Sequence, residues 1–484
     1  MSEQPSTDRL NDLAQDCVHC GFCLPACPTY QLWDEEMDSP RGRIHLVSQI
    51  LDGAPLTPAT ATHFDRCLGC MACMTACPSG VQYDQLIEAA RVWTEHPRQA
   101  PAEASAGPVD AWAGVPVPAP LARRSLRDRA TRAAIFAVFP YPARLRVLTA
   151  PLRVIQRTGL DRWLADSGLP AKVSPAAEAA LRLAPPSGGR PAASDPQPAR
   201  PAEAAGARWT GKKTRKGAAG RPAAQRLPER VAARGQRRAV VGMLTGCVQS
   251  VFFPKVNVAT ARVLAAEGCD VIIPRGQGCC GALSGHSGRH AEAMRFARAA
   301  IETFERAGVD AIVVNSAGCG SAMKDYARLL ADDLAWASRA AALSGRVRDL
   351  AEFLAELGPV APRHPVPVTA AYHDACHLGH AQRITAAPRA LLHAIPELEL
   401  VELRDAGLCC GSAGVYNLLQ PEAARELGAR KADSVVASGA SLLISANPGC
   451  TLQISSALAA RGVQVRTAHT AEILDASING VPLT

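Results

Sequence analysis

CVHCGFCLPACP, residues 17–28, returns fifty residues later as CLGCMACMTACP, residues 67–78. Both read C-x2-C-x2-C-x3-C-P, with Cys17, Cys20, Cys23 and Cys27 in the first copy and Cys67, Cys70, Cys73 and Cys77 in the second. Three thiolates at such intervals on a tight loop curl around one face of an iron–sulfur cubane, and the fourth points away on the next turn. Two such motifs exchange their fourth ligands. The expected sets are Cys17, Cys20, Cys23 and Cys77 for one [4Fe–4S] cluster, and Cys67, Cys70, Cys73 and Cys27 for the other. Gly21 and Gly69 leave the loops room to wrap closely, and Pro28 and Pro78 turn the chain after the last thiol. Zinc favours two C-x2–4-C pairs across a longer spacer, a poorer match to a fourth cysteine and proline following so soon, twice. With every ligand position filled by cysteine, the clusters are suited to passing single electrons, and the chain supplies no catalytic residue of its own.

The rest of the composition agrees with an intracellular redox protein. At 484 residues there is room for two or three domains. Aromatic residues make up only 4%, too few to build stacking platforms for single-stranded nucleic acid. The chain has 17 cysteines, and its start, MSEQPSTDRLNDLAQD, is polar and acidic and lacks an export signal. The cysteines therefore read as metal ligands or redox thiols rather than disulfides, and the location as cytoplasmic, with peripheral contact at the inner face of the plasma membrane compatible with it. No run approaches about 20 uninterrupted apolar residues, so no transmembrane segment is expected. Of the net charge of +8, residues 187–238 carry thirteen Lys/Arg against three Asp/Glu, which leaves the remainder near −2. The basicity belongs to a linker, and no nucleic-acid partner is implied.

Composition divides the chain. Residues 1–95 form the two-cluster domain, 96–185 a helical connector and 186–236 an Ala/Pro-rich basic linker too poor in apolar surface to fold. The connector's FAVFPYPARLRVLTAPLRVIQ mixes apolar and Arg positions; packing on neighbouring domains is the bland reading, docking on a membrane surface or partner the sharper one. From Arg238 short β-rich runs (AVVGML, DVIIP, AIVVN, VTAAY, LELVEL, SLLISA) alternate with Ala-rich helical stretches, the pattern of a parallel sheet. This part repeats, as residues 237–362 and 363–484. Cys247, Cys279, Cys280 and Cys319 recur as Cys376, Cys409, Cys410 and Cys450, with gaps of 32 and 40 residues in one copy and 33 and 41 in the other. Most follow a predicted strand, where open α/β sheets collect ligands. The fold class is thus α+β: a small α-rich two-cluster domain, then a duplicated α/β domain with a cysteine-lined crevice between its halves.

The repeats resemble the CCG domain of heterodisulfide reductase subunits and of iron–sulfur subunits of flavin-linked dehydrogenases. With ferredoxin-type motifs in front, the order resembles the glycolate oxidase iron–sulfur subunit family. The residues that carry the likeness are CVHCGFCLPACPTYQ from Cys17, SPRGRI from Ser39, RCLGCMACMTACPSGV from Arg66, CCGAL from Cys279, NSAGCG from Asn315, CCGSAGVYNLLQP from Cys409 and NPGC from Asn447. The likeness covers nearly all the chain except the linker. It implies an electron-transferring subunit whose FAD-binding partner subunits oxidise glycolate to glyoxylate, with electrons leaving toward a quinone-type acceptor. The chain would then belong to a 2-hydroxy-acid oxidoreductase whose flavin and substrate sites lie on the partners. Equivalent subunits of lactate or glycerol 3-phosphate dehydrogenases, and a heterodisulfide reductase-like thiol/disulfide enzyme, are the alternatives. In the last family the repeat often ends C-x2-C, giving five cysteines; here Cys319 and Cys450 stand alone, which argues against its non-cubane cluster. The eight repeat cysteines are left with three readings: a further iron–sulfur centre, a dithiol relay or acceptor pocket, and buried thiols or a zinc site.

Other residues invite a role. In Tyr372–His373–Asp374–Ala375–Cys376–His377 the two histidines stand near the second crevice as ligands, proton carriers or structural hydrogen-bonders. Cys269 has no repeat counterpart and reads as a core residue. Arg41 and Arg43, in SPRGRI, read as fixing the cluster loop or offsetting its charge.

Overall fold

The computed structural model describes residues 6–101, 124–158, 167, 175–184 and 227–483. The fold is α+β: a helical amino-terminal region precedes two α/β halves built on mostly parallel sheets.

Helices Thr7–Gln15, Pro28–Trp33, Pro40–Leu51, Pro58–Arg66, Ala72–Ala76 and Tyr83–Glu95 frame the two motifs. Pro28 does more than turn the chain. It opens a helix, where its fixed φ and missing N–H cost nothing. Ser39 and Thr57 cap the next two helices, accepting from the amides of Gly42 and Thr60 at 3.0 and 3.2 Å. Ile44, Val47, Ile50, Phe64, Leu86 and Trp93 form the core that holds the loops in place.

Helices Leu126–Val138, Pro142–Thr158 and Pro175–Leu183 lie between this region and the halves. Ile135 and Phe136 pack with Val415 and Leu418, and Ala179 and Leu183 join them, so the first and third of these helices rest on the carboxy-terminal half, while Pro142–Thr158 packs on helix Cys247–Phe252 of the first half. At the other end Arg124 bridges Asp65 and Glu95, at 2.7 and 3.1 Å.

The linker expected over 186–236 lies outside the described residues as far as 226. Its final stretch is structured. Strand β1 (Arg230–Val231) pairs antiparallel with β3 (Cys269–Ile272), so the first half begins before residue 237. Composition hid this because a two-residue edge strand needs no apolar run, and Arg230 is held by Asp270 at 2.6 Å.

The first sheet also contains β2 (Ala239–Leu244), β4 (Ala311–Val314) and β5 (Val347–Asp349), in the order β1-β3-β2-β4-β5. The second contains β6 (Val368–His373), β7 (Leu398–Glu402), β8 (Leu442–Ser445) and β9 (Arg466–Ala468), in the order β7-β6-β8-β9. Apart from β1 the two orders are identical and all neighbours are parallel. In each half the order reverses between the first and third parallel strands, a switch point that opens a crevice at their carboxyl ends. Helix Pro254–Ala266 of the first half packs against helix Thr470–Asn479 of the second, with Val256, Leu264, Ile473 and Leu474 in a shared core. His469 ties the halves: its Nε2–H donates to Asn315 O at 2.7 Å while Nδ1 accepts from the Ala471 amide at 3.0 Å.

Candidate metal centres

The amino-terminal thiols fall into two groups. Cys17, Cys20, Cys23 and Cys77 border one small cavity of about 30 Å³, which Cys73 also lines. Cys27 lies instead within electrostatic reach of Cys70 and Cys73, as Cys67 does. Cys20 is exposed, whereas Cys27, Cys67, Cys70 and Cys73 are buried. The first group is thus an outer site and the second an inner one.

Arginines surround the inner site. Arg43 is fully buried and donates to His63 O at 2.7 Å, Thr29 Oγ1 at 3.1 Å and Asp38 at 3.3 Å. Arg91 donates to Cys67 O at 2.5 Å. Burial alone would raise the Cys67 thiol; the Arg43 and Arg91 guanidiniums, aided by the Tyr83 hydroxyl and the Gly69 amide, carry it below the ordinary thiol value. Cys70 and Cys73, buried beside other thiols, are pushed up. At the outer site Arg41 donates to His19 O at 3.2 Å and pairs with Glu36 at 2.6 Å. So Arg41 and Arg43 fix the cysteine loops as expected, and Arg91, far away in sequence, joins them.

In the halves the strand ends deliver the thiols. Cys247 and Cys376 follow β2 and β6, Cys319 and Cys450 follow β4 and β8, and the CCG pairs follow β3 and β7. The Sγ atoms of Cys247 and Cys279 are 3.6 Å apart. Cys280 contacts Cys279 and Cys319. In the second half Cys376 meets Cys409, and Cys410 meets Cys409 and Cys450. Gly281 and Gly411 make each pair possible. Both have positive φ, +88° and +86°, and a Cβ would stand 3.0 and 2.7 Å from the carbonyl oxygens of Ala293 and Ala424. All eight cysteines line one cavity of about 540 Å³ between the halves, whose wall mixes apolar residues such as Leu145, Leu181 and Leu418 with polar ones such as Arg91, Arg132 and His286.

The inner site abuts the second half. Cys70 and Leu68 pack with Cys409, Tyr416 and Cys376. The ring of His377 meets Gly69 O through Nε2 at 2.9 Å, and Tyr416 donates to Arg66 O at 3.1 Å. Burial, and then the neighbouring His286, lower His377 to about 4, so the ring is neutral and its role at Nε2 is a structural hydrogen bond. His373 is fully buried, with neither ring nitrogen hydrogen-bonded. Cys269 begins β3 in the core, where burial raises its thiol to about 11. Sequence reasoning missed Arg91, His286 and Lys431, none of which lies in a motif.

Eight thiols gathered at two adjoining sites, half of them sealed from water and with guanidiniums nearby, fit two cubane clusters; soft thiolates are what such clusters take. Joined to a duplicated α/β domain with thiols at both switch points, they define an iron–sulfur protein. Residues 13–81 match the 4Fe-4S dicluster domain, 241–324 and 370–455 the cysteine-rich domain, and 127–183 the linker region of the glycolate oxidase iron–sulfur subunit. The probable glycolate oxidase iron–sulfur subunit of Bacillus subtilis (strain 168) is 33% identical over 95% of this chain and 93% of its own length. The glycolate oxidase iron–sulfur subunit of Escherichia coli (strain K12) is 31% identical over 92% and 91%. Lactate utilization protein A of an Exiguobacterium species is 34% identical, over 49% of this chain and 98% of its own. The chain belongs to the glycolate oxidase iron–sulfur subunit family. Among the described residues no helix is long and apolar enough to cross a membrane.

Proposed function

We propose that this chain is the electron-carrying subunit of a flavin-dependent glycolate oxidase, receiving electrons from FAD-binding partner subunits that oxidise glycolate to glyoxylate and delivering them toward a quinone-type acceptor. Cys17, Cys20, Cys23 and Cys77 would hold the outer [4Fe–4S] cluster and Cys67, Cys70, Cys73 and Cys27 the inner one. When bound, each supplies a one-electron carrier. The chain's own residues shape the path. Exposed Cys20, flanked by exposed Val18 and Phe22, marks the face open to a partner. Burial keeps water from Cys70 and Cys73, and Arg43 and Arg91 offset the charge that gathers at the inner thiols. The observation that carries this reading is the packing of Cys70 against Cys376 and Cys409, which continues the thiol path from the amino-terminal region into the second half. The repeat cysteines would hold a further iron–sulfur centre, and the cavity beside them would admit the acceptor. We place the complex in the cytoplasm, at the inner membrane face where a quinone is reached.

The test is the purified complex with its flavoprotein partners. Glycolate should reduce the flavin and then a soluble quinone. With Cys70→Ser the flavin should still be reduced while quinone reduction stops. Undiminished quinone reduction in that variant, with the inner cluster's EPR signal gone, overturns the reading. Similarity to lactate utilization protein A supports a second reading in which the substrate is lactate; glycolate and lactate offered to the same complex decide between them.

A further inference from the structure

The halves repeat strand for strand, so equivalent places can be compared directly. β2 and β6 both end three residues before the first cysteine; the last residue is Leu244 in one and His373 in the other. Helices His290–Ala307 and Pro421–Ala437 follow the CCG pairs, and the buried residue at the same distance from the second cysteine is Ile301 in one and Lys431 in the other. The first set of thiols therefore stands among aliphatic side chains, the second beside an imidazole and an ammonium.

His373 is 0% exposed, and both its ring nitrogens lack a hydrogen-bond partner. Buried polar groups are nearly always paired, so two unpaired ring nitrogens on one buried side chain call for a partner. Its ligating nitrogen and the Sγ atoms of Cys410 and Cys450 all lie within 4.8 Å of one another. Ligands at about 2.0–2.3 Å from a shared ion stand at most roughly 4.6 Å apart, so this triangle needs little closing to hold one. Asn447 donates to Cys450 Sγ at 3.3 Å, and Lys431, held at Asp405 O, sits near Cys409, Cys410 and Cys450 and offsets their charge.

We propose that the second half holds a thiophilic metal through mixed nitrogen and sulfur ligation, with His373 as a ligand beside Cys410 and Cys450; among the described residues no histidine is grouped in this way with the first half's thiols. The two halves are then inequivalent centres despite their shared fold. This rests on the reading that the repeat cysteines bind metal.

The test uses the full chain purified without oxygen, as wild type, His373→Leu (the first half's residue) and His373→Cys. Iron, zinc and acid-labile sulfide are measured per chain, with circular dichroism as the folding control. Pulsed EPR on protein carrying 15N-histidine reads the nitrogen coupling, on the reduced iron-loaded chain or, for zinc, after cobalt exchange. Wild type should contain metal beyond about eight irons and show the histidine coupling. His373→Leu should lose the second-half metal, whereas His373→Cys should keep it and lose the coupling. Sulfide rising with the extra metal marks a cluster, and its absence a zinc ion; either supports the assignment. If His373→Cys retains the histidine coupling, or folded His373→Leu retains its full metal, the assignment of His373 is overturned. No metal beyond about eight irons in the wild type overturns the underlying reading instead.

Discussion

In the amino-terminal region Cys17, Cys20 and Cys23 reach a common space because seven residues of loop carry them there. In the halves Cys247, Cys279 and Cys319 reach theirs from three strand ends, across gaps of 32 and 40 residues. A local loop can hold its ligands with little help from the rest of the chain, and the outer site accordingly sits at the surface, with Cys20 exposed. A site assembled by topology depends on the sheet, the helices behind it and the junction between the halves. The inner amino-terminal site is intermediate: its spacing is local, but Cys70 is sealed by the second half.

The sharpest way to break this contrast is to remove one thiol from each kind of site. Cys20→Ser and Cys70→Ser should each cost about four irons by iron and sulfide analysis. Cys70→Ser should also lower the thermal midpoint by several degrees more, because it disturbs the packing on Tyr416 and Cys409. Equal midpoints would mean that the second half does not seal the inner site.

Acid should attack the junction of the halves. His469 is lowered from its ordinary 6.5 to about 4, chiefly by burial, so the folded state holds it neutral. The stability this gives is complete above pH 6.5 and is lost as pH falls through about 4, roughly 3 kcal/mol in all. His469→Gln should flatten the dependence of the thermal midpoint on pH over that window while lowering the midpoint at pH 7.

Backbone strain should act more strongly on the topological site. Gly411→Ala places a methyl 2.7 Å from Ala424 O at a positive φ and should cost about 2 kcal/mol or more. Gly281→Ala, with 3.0 Å to Ala293 O, should cost less; denaturant titration of the two compares them. The smallest effect is expected from Tyr416→Phe, which removes the bond to Arg66 O. It should cost about 1 kcal/mol and lower hydrogen–deuterium exchange protection around residues 66–70 less than Cys70→Ser does.

The chain's order of elements was legible to different depths. Six apolar runs became β2, β3, β4, β6, β7 and β8; strands inside a sheet, such as β2, β4, β6 and β8, bury both faces and read as continuous hydrophobic stretches, whereas β7, at an edge and half exposed, was legible because its five residues interleave apolar and acidic positions. β1, β5 and β9 escaped notice. Each is only two or three residues long, carries Arg230, Arg348 or Arg466, and lies at a sheet edge where one side needs no apolar partner. The matched spacing of the repeat cysteines exposed the duplication, since equal folds place equivalent strand ends at equal intervals.

What the amino-acid sequence determined by itself was the chemistry available: two sets of closely spaced thiols, a duplicated sheet, and glycines that give the cysteine loops room to wrap. Tertiary structure alone decided which half the inner site meets, that Arg91 faces Cys67, and that His373 and Lys431 lie beside one cysteine set but not the other. The reason is range. Ligand spacing within a loop is fixed by a few bond rotations, whereas those contacts join residues tens to hundreds of positions apart, and no local pattern encodes the burial that brings them together.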